Sequence, residues 1–210
     1  IVKTKYTLLN KKHMKKLLFV LLVLLSVPAT AQNILFAPRV GLNLADMTNA
    51  GGDLKPGINI GLAGEYMLSE GFSIESGLFY SMQGTKVSES GVTVKMKNDY
   101  INIPVYAKAY LAEGFNVFAG PQFGFKVSEK VEASLIGVSY SEDLDMIEPF
   151  DFSIGIGFGY QFKQGLQLSA NYNLGLTNTI KALSSFNDIE FLDDVNSKNN
   201  VIQLNVGWRF

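Results

Sequence analysis

Two glutamates, Glu65 and Glu75, have the spacing in this 210-residue sequence that chemistry most readily uses. They lie symmetrically about Ser69-Glu70-Gly71, so a hairpin that turns there would place them opposite each other on one face. Two carboxylates held that close can differ in pKa and work as general acid and general base. In the competing interpretation, which we favour, they belong to a salt-bridge network with basic residues of other strands. The basic candidates are Arg39, Lys108 and Arg209.

Lys126 and Asp151 form a second candidate pair, because they are equidistant from the midpoint of a polar stretch at 128–149. If that stretch is a loop between two strands, both side chains lie near the same mouth of the fold. We expect the two charged pairs to fill interior space as clusters rather than to react.

Other chemistry finds little support in the residue types. The sequence has no Cys, and its one His, His13, precedes the part that we expect to be retained, so the usual nucleophile–histidine machinery is missing. The GIGFG motif at 155–159 would cradle a phosphate only if a helix followed it, and a strand pattern follows instead. We expect Gly155, Gly157 and Gly159 to leave room inside the fold. The sequence therefore predicts no enzyme, no cofactor and no metal site.

The elements that must position these residues alternate apolar and polar side chains with a period of two, which is typical of β-strands. Eight segments show the pattern: 36–44, 58–68, 72–82, 101–111, 115–127, 150–162, 166–176 and 202–210. Three short connections end in a glycine that suits a turn with positive φ, at Gly71, Gly114 and Gly165. Four connections are longer and polar, at 46–56, 84–98, 128–149 and 177–199. Alternating short turns and long loops are typical of outer-membrane β-barrels.

All charges within the strands share one parity, and many amides accompany them. The charged set is Arg39, Glu65, Glu75, Lys108, Lys126, Asp151 and Arg209. The amide set is Asn43, Asn59, Asn102, Gln122, Gln161, Asn171, Asn173, Gln203 and Asn205. So many polar groups could not fill a dry core, but in a lumen they can bond to each other and to water. The sequence therefore predicts an all-β fold, an eight-stranded antiparallel transmembrane β-barrel of the outer membrane, over a secreted β-sandwich.

Aromatic residues of the apolar parity fall near the predicted strand ends, as interfacial girdles require. One girdle, beside the short turns, would comprise Tyr66, Phe72, Phe115, Tyr160, Phe162, Trp208 and Phe210. The opposite girdle would comprise Tyr80, Phe125, Phe150 and Phe152.

The N-terminal part has the pattern of a secretory signal peptide at 14–31, with a basic start, an apolar run of about eleven residues and a small-residue cleavage site. We interpret 1–13 as an upstream extension that is not part of the fold, and 32–210 as the barrel domain. Six of the 18 basic residues and none of the 19 acidic ones precede residue 32, so the remainder has a net charge of −7. Nucleic acid is an improbable partner for such a chain.

In their order, several segments resemble the outer-membrane β-barrel family of Bacteroidota that is labelled "porin family" or PorT-like. The segments are RVGLNLADM (39–47), DYINIPVYAKAYL (99–111), GPQFGF (120–125), DFSIGIGFGYQF (151–162), NYNLGLTN (171–178) and VGWRF (206–210). The resemblance implies a location in the cell outer membrane. It also implies that the closing aromatic strand, with Trp208 and Phe210, is read by the barrel-assembly machinery during insertion.

Three functions stay open at this point. The first is a non-enzymatic barrel with a side-chain-filled lumen and a structural or interaction role through its surface loops. The second is a narrow diffusion channel for ions or small solutes, and the third is an accessory role in secretion, as for PorT-like barrels. The expected partners are outer-membrane lipid and lipopolysaccharide.

Two acidic stretches in the predicted loops could bind divalent cations that bridge lipopolysaccharide, or a partner protein, although a merely solvated surface is the simpler interpretation. Their residues are Glu129, Glu132, Glu142, Asp143, Asp145 and Glu148 in one loop, and Asp188, Glu190, Asp193 and Asp194 in the other.

Overall fold

The structure is a computed structural model that describes residues 34–48, 52–89, 92–135, 138–142, 147–179 and 197–210. The predicted extension at 1–13 and signal peptide at 14–31 lie outside these ranges. The described part consists of nine β-strands and contains no helix that is long and apolar enough to cross a bilayer. The strands are β1 Ile34–Met47, β2 Asp53–Ser69, β3 Phe72–Glu89, β4 Val92–Tyr110, β5 Phe115–Leu135, β6 Val138–Glu142, β7 Phe150–Gln161, β8 Leu166–Gly175 and β9 Asn199–Trp208.

Eight of these strands close into an antiparallel ring, which confirms the predicted fold. Strands β1 to β5 pair in sequence order, β5 pairs with β7, and β8 and β9 follow. Strand β9 then pairs with β1, from Arg39↔Gly207 to Met47↔Asn199, and so closes the barrel. The short strand β6 is an addition to the ring that pairs with the end of β5.

The closing seam extends to the last residue. The Phe36 N–H donates to the Phe210 carbonyl at 3.1 Å, and the Phe210 N–H donates to the Phe36 carbonyl at 3.0 Å. Phe210, 70% exposed on the outside, therefore belongs to the apolar exterior of the barrel and also to its hydrogen-bonded wall.

Burial alternates along the strands in the sense that a membrane barrel requires. In β9 the inward residues Gln203 and Asn205 are buried, whereas the outward residues Leu204 and Val206 are 50% and 47% exposed. Polar side chains therefore fill the inside and apolar side chains face outward. In hydrocarbon this arrangement is stable, because the closed ring satisfies the backbone groups internally.

Both predicted aromatic girdles lie on the exterior. Beside the short turns, the exposed rings are Tyr66, Phe72, Phe115, Tyr160, Trp208 and Phe210, and Phe162 packs against Tyr160 at 4.7 Å between centroids. At the opposite end, Tyr80, Phe125 and Phe150 are exposed, Phe125 packs on Phe150, and Phe152 packs on Phe123.

The prediction of long loops at 84–98 and 128–149 is wrong, because strands continue into both segments. The segment at 84–98 is largely a ladder between β3 and β4, from Gly84↔Lys97 to Glu89↔Val92. The start of 128–149 continues β5, which pairs with β4 as far as Leu135. On β4 the period of two continues there with the opposite sense, because Val94 and Met96 face inward and Lys95 and Lys97 face outward.

The short turns agree with prediction in two of three cases. Gly114 and Gly165 have φ of 77° and 105°, in the region that favours glycine. Gly71 does not have positive φ, although Ser69 and Phe72 pair across a two-residue turn.

Candidate functional site

An ionic cluster occupies the lumen at the end of the barrel that carries the short turns. Glu65 on β2 and Glu75 on β3 are directly opposite in the ladder, which confirms their predicted pairing. The Arg39 guanidinium on β1 donates to both oxygens of Glu75, at 2.6 and 2.5 Å. Lys108 on β4 lies between the two carboxylates, with Nζ 2.9 Å from Glu75 Oε2 and 3.3 Å from Glu65 Oε2. Four strands are thus tied together across the lumen.

Polar neighbours complete the coordination of Glu65. Ser73 Oγ and Tyr110 Oη donate to its Oε1 at 2.6 and 2.5 Å. Arg209 Nη1 donates to Tyr110 Oη at 3.1 Å and lies 3.7 Å from Glu65 Oε2. Glu65, Glu75 and Lys108 are each at most 3% exposed. The cluster has three cations and two anions, and the described contacts engage every carboxylate oxygen.

Above this cluster, three aromatic rings fill the lumen opposite glycines. Phe79, Tyr106 and Phe118 are each at most 7% exposed, and the rings of Tyr106 and Phe118 are 5.2 Å apart. A Cβ added to Gly155 would lie 2.5 Å from Tyr106 Oη, and one added to Gly157 would lie 2.5 Å from Phe118 Cζ. The expectation that these glycines leave room inside the fold is therefore confirmed.

The remaining space at this level is small. A cavity lined by Arg39, Glu75, Phe79, Tyr106 and Phe118, among others, has a volume of about 20 Å³. That is room for roughly one water molecule. The charged cluster and the aromatic layer thus fill most of the described lumen around this cavity.

Gly155→Ala is expected to destabilise the folded barrel by about 1–3 kcal/mol, because overpacking forces neighbours off their preferred positions. The new Cβ would contact both Tyr106 Oη and Asn173 Oδ1 at 2.5 Å, so both side chains must shift. Urea unfolding in detergent micelles, followed by tryptophan fluorescence, measures the loss. The matched control is Gly64→Ala, whose Cβ would approach the Phe36 ring no closer than 3.6 Å. Equal losses in the two variants would contradict this packing.

A network of neutral amides and one hydroxyl links the strands in the middle and outer lumen. Asn59 donates to Asn205 at 2.9 Å, Asn171 to Gln203 at 3.0 Å, and Gln203 to Asn43 at 3.0 Å. The linked residues are Asn43, Asn59, Ser81, Gln83, Asn171, Asn173, Asn199, Gln203 and Asn205. Such a network fixes the strands relative to each other without charge.

At the outer mouth, Lys126 and Asp151 have different partners. Lys126 Nζ contacts Glu129 Oε2 at 2.7 Å and donates to the Ile147 carbonyl at 2.6 Å. Asp151 Oδ1 accepts from Thr177 Oγ1 at 3.4 Å. The two residues predicted as a pair are thus both inward-facing, and the salt bridge of Lys126 is with Glu129.

A bulge explains why Glu129 reaches the lumen. The β4–β5 register shifts between Tyr100↔Lys126 and Asp99↔Ser128, so Val127 is an extra residue and the inward parity of β5 changes there. Glu129, only 7% exposed, then points inward beside Lys126 and accepts from the Ile147 N–H at 3.2 Å.

These contacts hold Ile147 over the outer mouth. Its side chain is fully buried in an apolar cluster with Met47 and Tyr100, and Met96 packs against the cluster. The Glu148 N–H donates to the Thr179 carbonyl at 2.8 Å and ties the same segment to the residues that follow β8. The outer mouth therefore has an apolar cap above the polar lumen.

The positions of Glu129 and Glu132 weaken the hypothesis that acidic loop residues bind cations or a partner protein. Glu129 faces the lumen, and Glu132 lies on β5 and pairs with Lys97 at 2.5 Å. Among the described residues, no group of three or more His, Cys, Asp or Glu could hold a metal ion. The hypothesised acidic residues that lie outside the described ranges are Asp143, Asp145, Asp188, Glu190, Asp193 and Asp194.

The aromatic residues of the lumen were not among the residues predicted from the sequence to face inward. Phe79, Tyr106, Tyr110 and Phe118 share the inward parity of the charged residues on their own strands. That parity was sufficient to find them, but an aromatic side chain is more often interpreted as lipid-facing in a barrel.

A closed ring of eight strands, with an apolar exterior between two aromatic girdles and a polar interior, defines an outer-membrane β-barrel. The chain belongs to the outer membrane protein beta-barrel domain family, whose model matches residues 30–181. The protein is therefore located in the cell outer membrane. No curated protein matches the sequence.

Solved structures share the architecture at low identity. The Yersinia pestis attachment invasion locus protein Ail, in complex with the heparin analogue sucrose octasulfate, has a TM-score of 0.50 and 15% identity, covering 85% of this chain and 99% of that one. A major outer membrane protein from Thermus thermophilus has a TM-score of 0.50 and 14% identity, covering 84% and 99%. Neisserial surface protein A has a TM-score of 0.48 and 10% identity, covering 84% and 97%. At these identities the similarity concerns the fold.

Proposed function

We propose that this protein is a non-enzymatic outer-membrane barrel with a closed lumen, which acts as a structural or interacting component through its outer end. The observation that carries the proposal is the ionic cluster with the aromatic layer above it, where about 20 Å³ stays open. A barrel that is filled across its width can serve as a rigid support for surface strands and loops.

The environment of the two carboxylates supports the non-enzymatic part of the proposal. Glu65 and Glu75 contact Lys108, and each has a further arginine partner, Arg209 or Arg39. A general acid or base must reach the atom with which it exchanges a proton, and the oxygens of both carboxylates are already engaged inside the cluster. The cluster therefore suits cross-bracing of the strands better than acid–base work.

The conductance of the wild-type barrel tests the closed lumen. Protein expressed from the full sequence, purified from outer membranes and reconstituted into planar bilayers should give no steady current. Arg39→Ala with Glu75→Ala removes an ion pair without changing the net charge, and should open a small steady conductance beside Lys108. Both proteins should shift in gel mobility on heating, which shows that they are folded.

The matched control is Glu113→Gln, which removes an exposed carboxylate 3.4 Å from Lys163 at the short turns and should leave the bilayer silent. A steady current from the wild-type barrel would refute the closed lumen and favour the narrow channel. The accessory role in secretion rests on the PorT-like resemblance alone, as does the narrower assignment to Bacteroidota, and the described residues add nothing to either.

A further inference from the structure

Four lysines lie on one face of the β3–β5 sheet where it extends beyond the outer girdle. Lys86 is directly opposite Lys95 in the β3–β4 ladder, and Lys97 is directly opposite Lys130 in the β4–β5 ladder. Lys95 and Lys97 are two residues apart on one strand, so all four side chains project to the same face. We call this set, Lys86, Lys95, Lys97 and Lys130, the lysine patch.

The lysine patch faces away from the barrel axis. Its neighbours of opposite parity on β4 point inward: Asn98 is 1% exposed, and Met96 packs against the apolar cap. On β5, the bulge at Val127 places Glu129 inward and Lys130 outward. The patch is thus on the side of the sheet that faces the surrounding membrane.

The charge of this face is positive, in contrast to the rest of the chain. Three carboxylates share it: Glu132, opposite Lys95 in the ladder, Asp53, opposite Lys86, and Asp99, two residues from Lys97 on β4, which accepts from Tyr80 Oη. Four cations against three anions leave a net charge of +1, whereas residues 32–210 together have −7. Like charges directly opposite in a sheet are destabilising. An anionic ligand would relieve that repulsion.

The positive charges of the lysine patch act on Glu132, the carboxylate that lies among them. Lys97 donates to Glu132 at 2.5 Å, and this hydrogen bond, with the charges of Lys97, Lys95 and Lys130, lowers the pKa of Glu132 from its ordinary value although burial opposes the shift. Three lysines of the patch therefore interact with the same carboxylate, so their charges are close enough to act together on a ligand.

The inner half of the patch, Lys97 and Lys130, lies near the phosphate level of the outer leaflet, and Lys86 and Lys95 lie two residues farther out. Tyr80, Ile101 and Phe125 are in register at the outer girdle, and Lys97 is four residues farther along β4 than Ile101. Four residues rise about 13 Å along a strand, or about 10 Å along the axis of a tilted barrel. The headgroup region adds roughly 5–8 Å to each side of the hydrocarbon, and a lysine stem can reach back toward it.

We propose that the lysine patch binds the phosphate groups of lipopolysaccharide in the outer leaflet. Lysine is a suitable phosphate ligand, because its ammonium acts as a compact charge on a flexible stem. The first molecules beside an outward face just above the girdle are the lipids around the barrel. The inference depends on the outer-membrane location and is independent of whether the lumen conducts.

Titration with purified lipid A tests the proposal. Full-chain protein from outer membranes, in detergent, is titrated with bisphosphorylated lipid A and the bound lipids are counted by native mass spectrometry. The variant with all four patch lysines replaced by glutamine should bind at least about tenfold more weakly, because each basic side chain near a charged membrane surface contributes severalfold. Dephosphorylated lipid A should bind wild type and variant equally weakly.

Single variants keep the test valid if the fourfold variant fails to fold. Lys97→Gln should weaken binding severalfold, whereas Lys163→Gln, which alters an exposed lysine at the opposite end of the barrel, should not change it. Equal affinity of wild type and Lys97→Gln overturns the proposal. So does equally tight binding of phosphorylated and dephosphorylated lipid A. Loss of binding to a soluble sulfated glycan with unchanged lipid A affinity would assign the patch to a glycan instead.

Discussion

Glu75→Ala should destabilise the folded barrel by about 3–5 kcal/mol, because it leaves buried cations without their counter-ion. Arg39 loses both of its carboxylate contacts, and Lys108 loses the closer of its two. The side chains of Arg39 and Lys108 are only 11% and 4% exposed, so water can replace little of what they lose. The remaining carboxylate, Glu65, would have to balance three cations alone.

Reversible urea unfolding in detergent micelles measures this loss. The single tryptophan, Trp208, is 51% exposed at the girdle beside the short turns and reports whether the closing strand is inserted. Glu113→Gln is the matched control, because it removes a carboxylate whose partner, Lys163, is equally exposed, and its unfolding midpoint should not move. If Glu75→Ala unfolds at the wild-type midpoint, the ion cluster does not stabilise the barrel.

A paired replacement separates the cost of an unpaired charge from the value of the salt bridge. In Arg39→Met with Glu75→Leu, both partners become apolar and Lys108 keeps Glu65 at 3.3 Å. Such replacements of buried ion pairs are often neutral or stabilising. The double variant should therefore recover most of the stability that Glu75→Ala loses.

The barrel itself could be predicted from the sequence because a lipid-facing wall imposes a strict period of two. That period gave the eight ring strands and the inward direction of Arg39, Glu75 and Lys108. The symmetric positions of Glu65 and Glu75 about one turn gave their register. Each of these inferences depends only on the alternation within one strand or within one hairpin.

The features that could not be predicted from the sequence depend on changes in that alternation. The bulge at Val127 reverses the inward parity of β5, and so neither the Lys126–Glu129 salt bridge nor the outward direction of Lys130 follows from spacing. On the extension of β4 beyond the membrane the alternation changes sense, with Val94 and Met96 inward and Lys95 and Lys97 outward. The lysine patch lies on that extension, which is why a loop was predicted there.

The largest effect of a single aromatic replacement is expected at Phe79, in the layer above the ion cluster. Its ring is 7% exposed and packs with Ala37 and Ala63. A Cβ on Gly61 or Gly77 would lie 2.6 or 2.7 Å from the ring, so the ring occupies the space that these residues leave. Phe79→Ala should destabilise the barrel by about 3–5 kcal/mol, because alanine and glycine neighbours cannot fill the void.

The control variant is Phe125→Ala, which shows whether the loss at Phe79 comes from packing inside the lumen. Phe125 also lies on a ring strand, but it faces outward and is 46% exposed. Lipid tails can occupy the space that the Phe125 ring leaves, so its loss should be clearly smaller. Phe79→Leu should retain most of the stability, because it keeps much of the apolar volume. Urea unfolding of the three variants gives the ranking. If Phe79→Ala costs no more than Phe125→Ala, the luminal ring is not packed, and the barrel is held closed by its polar network instead.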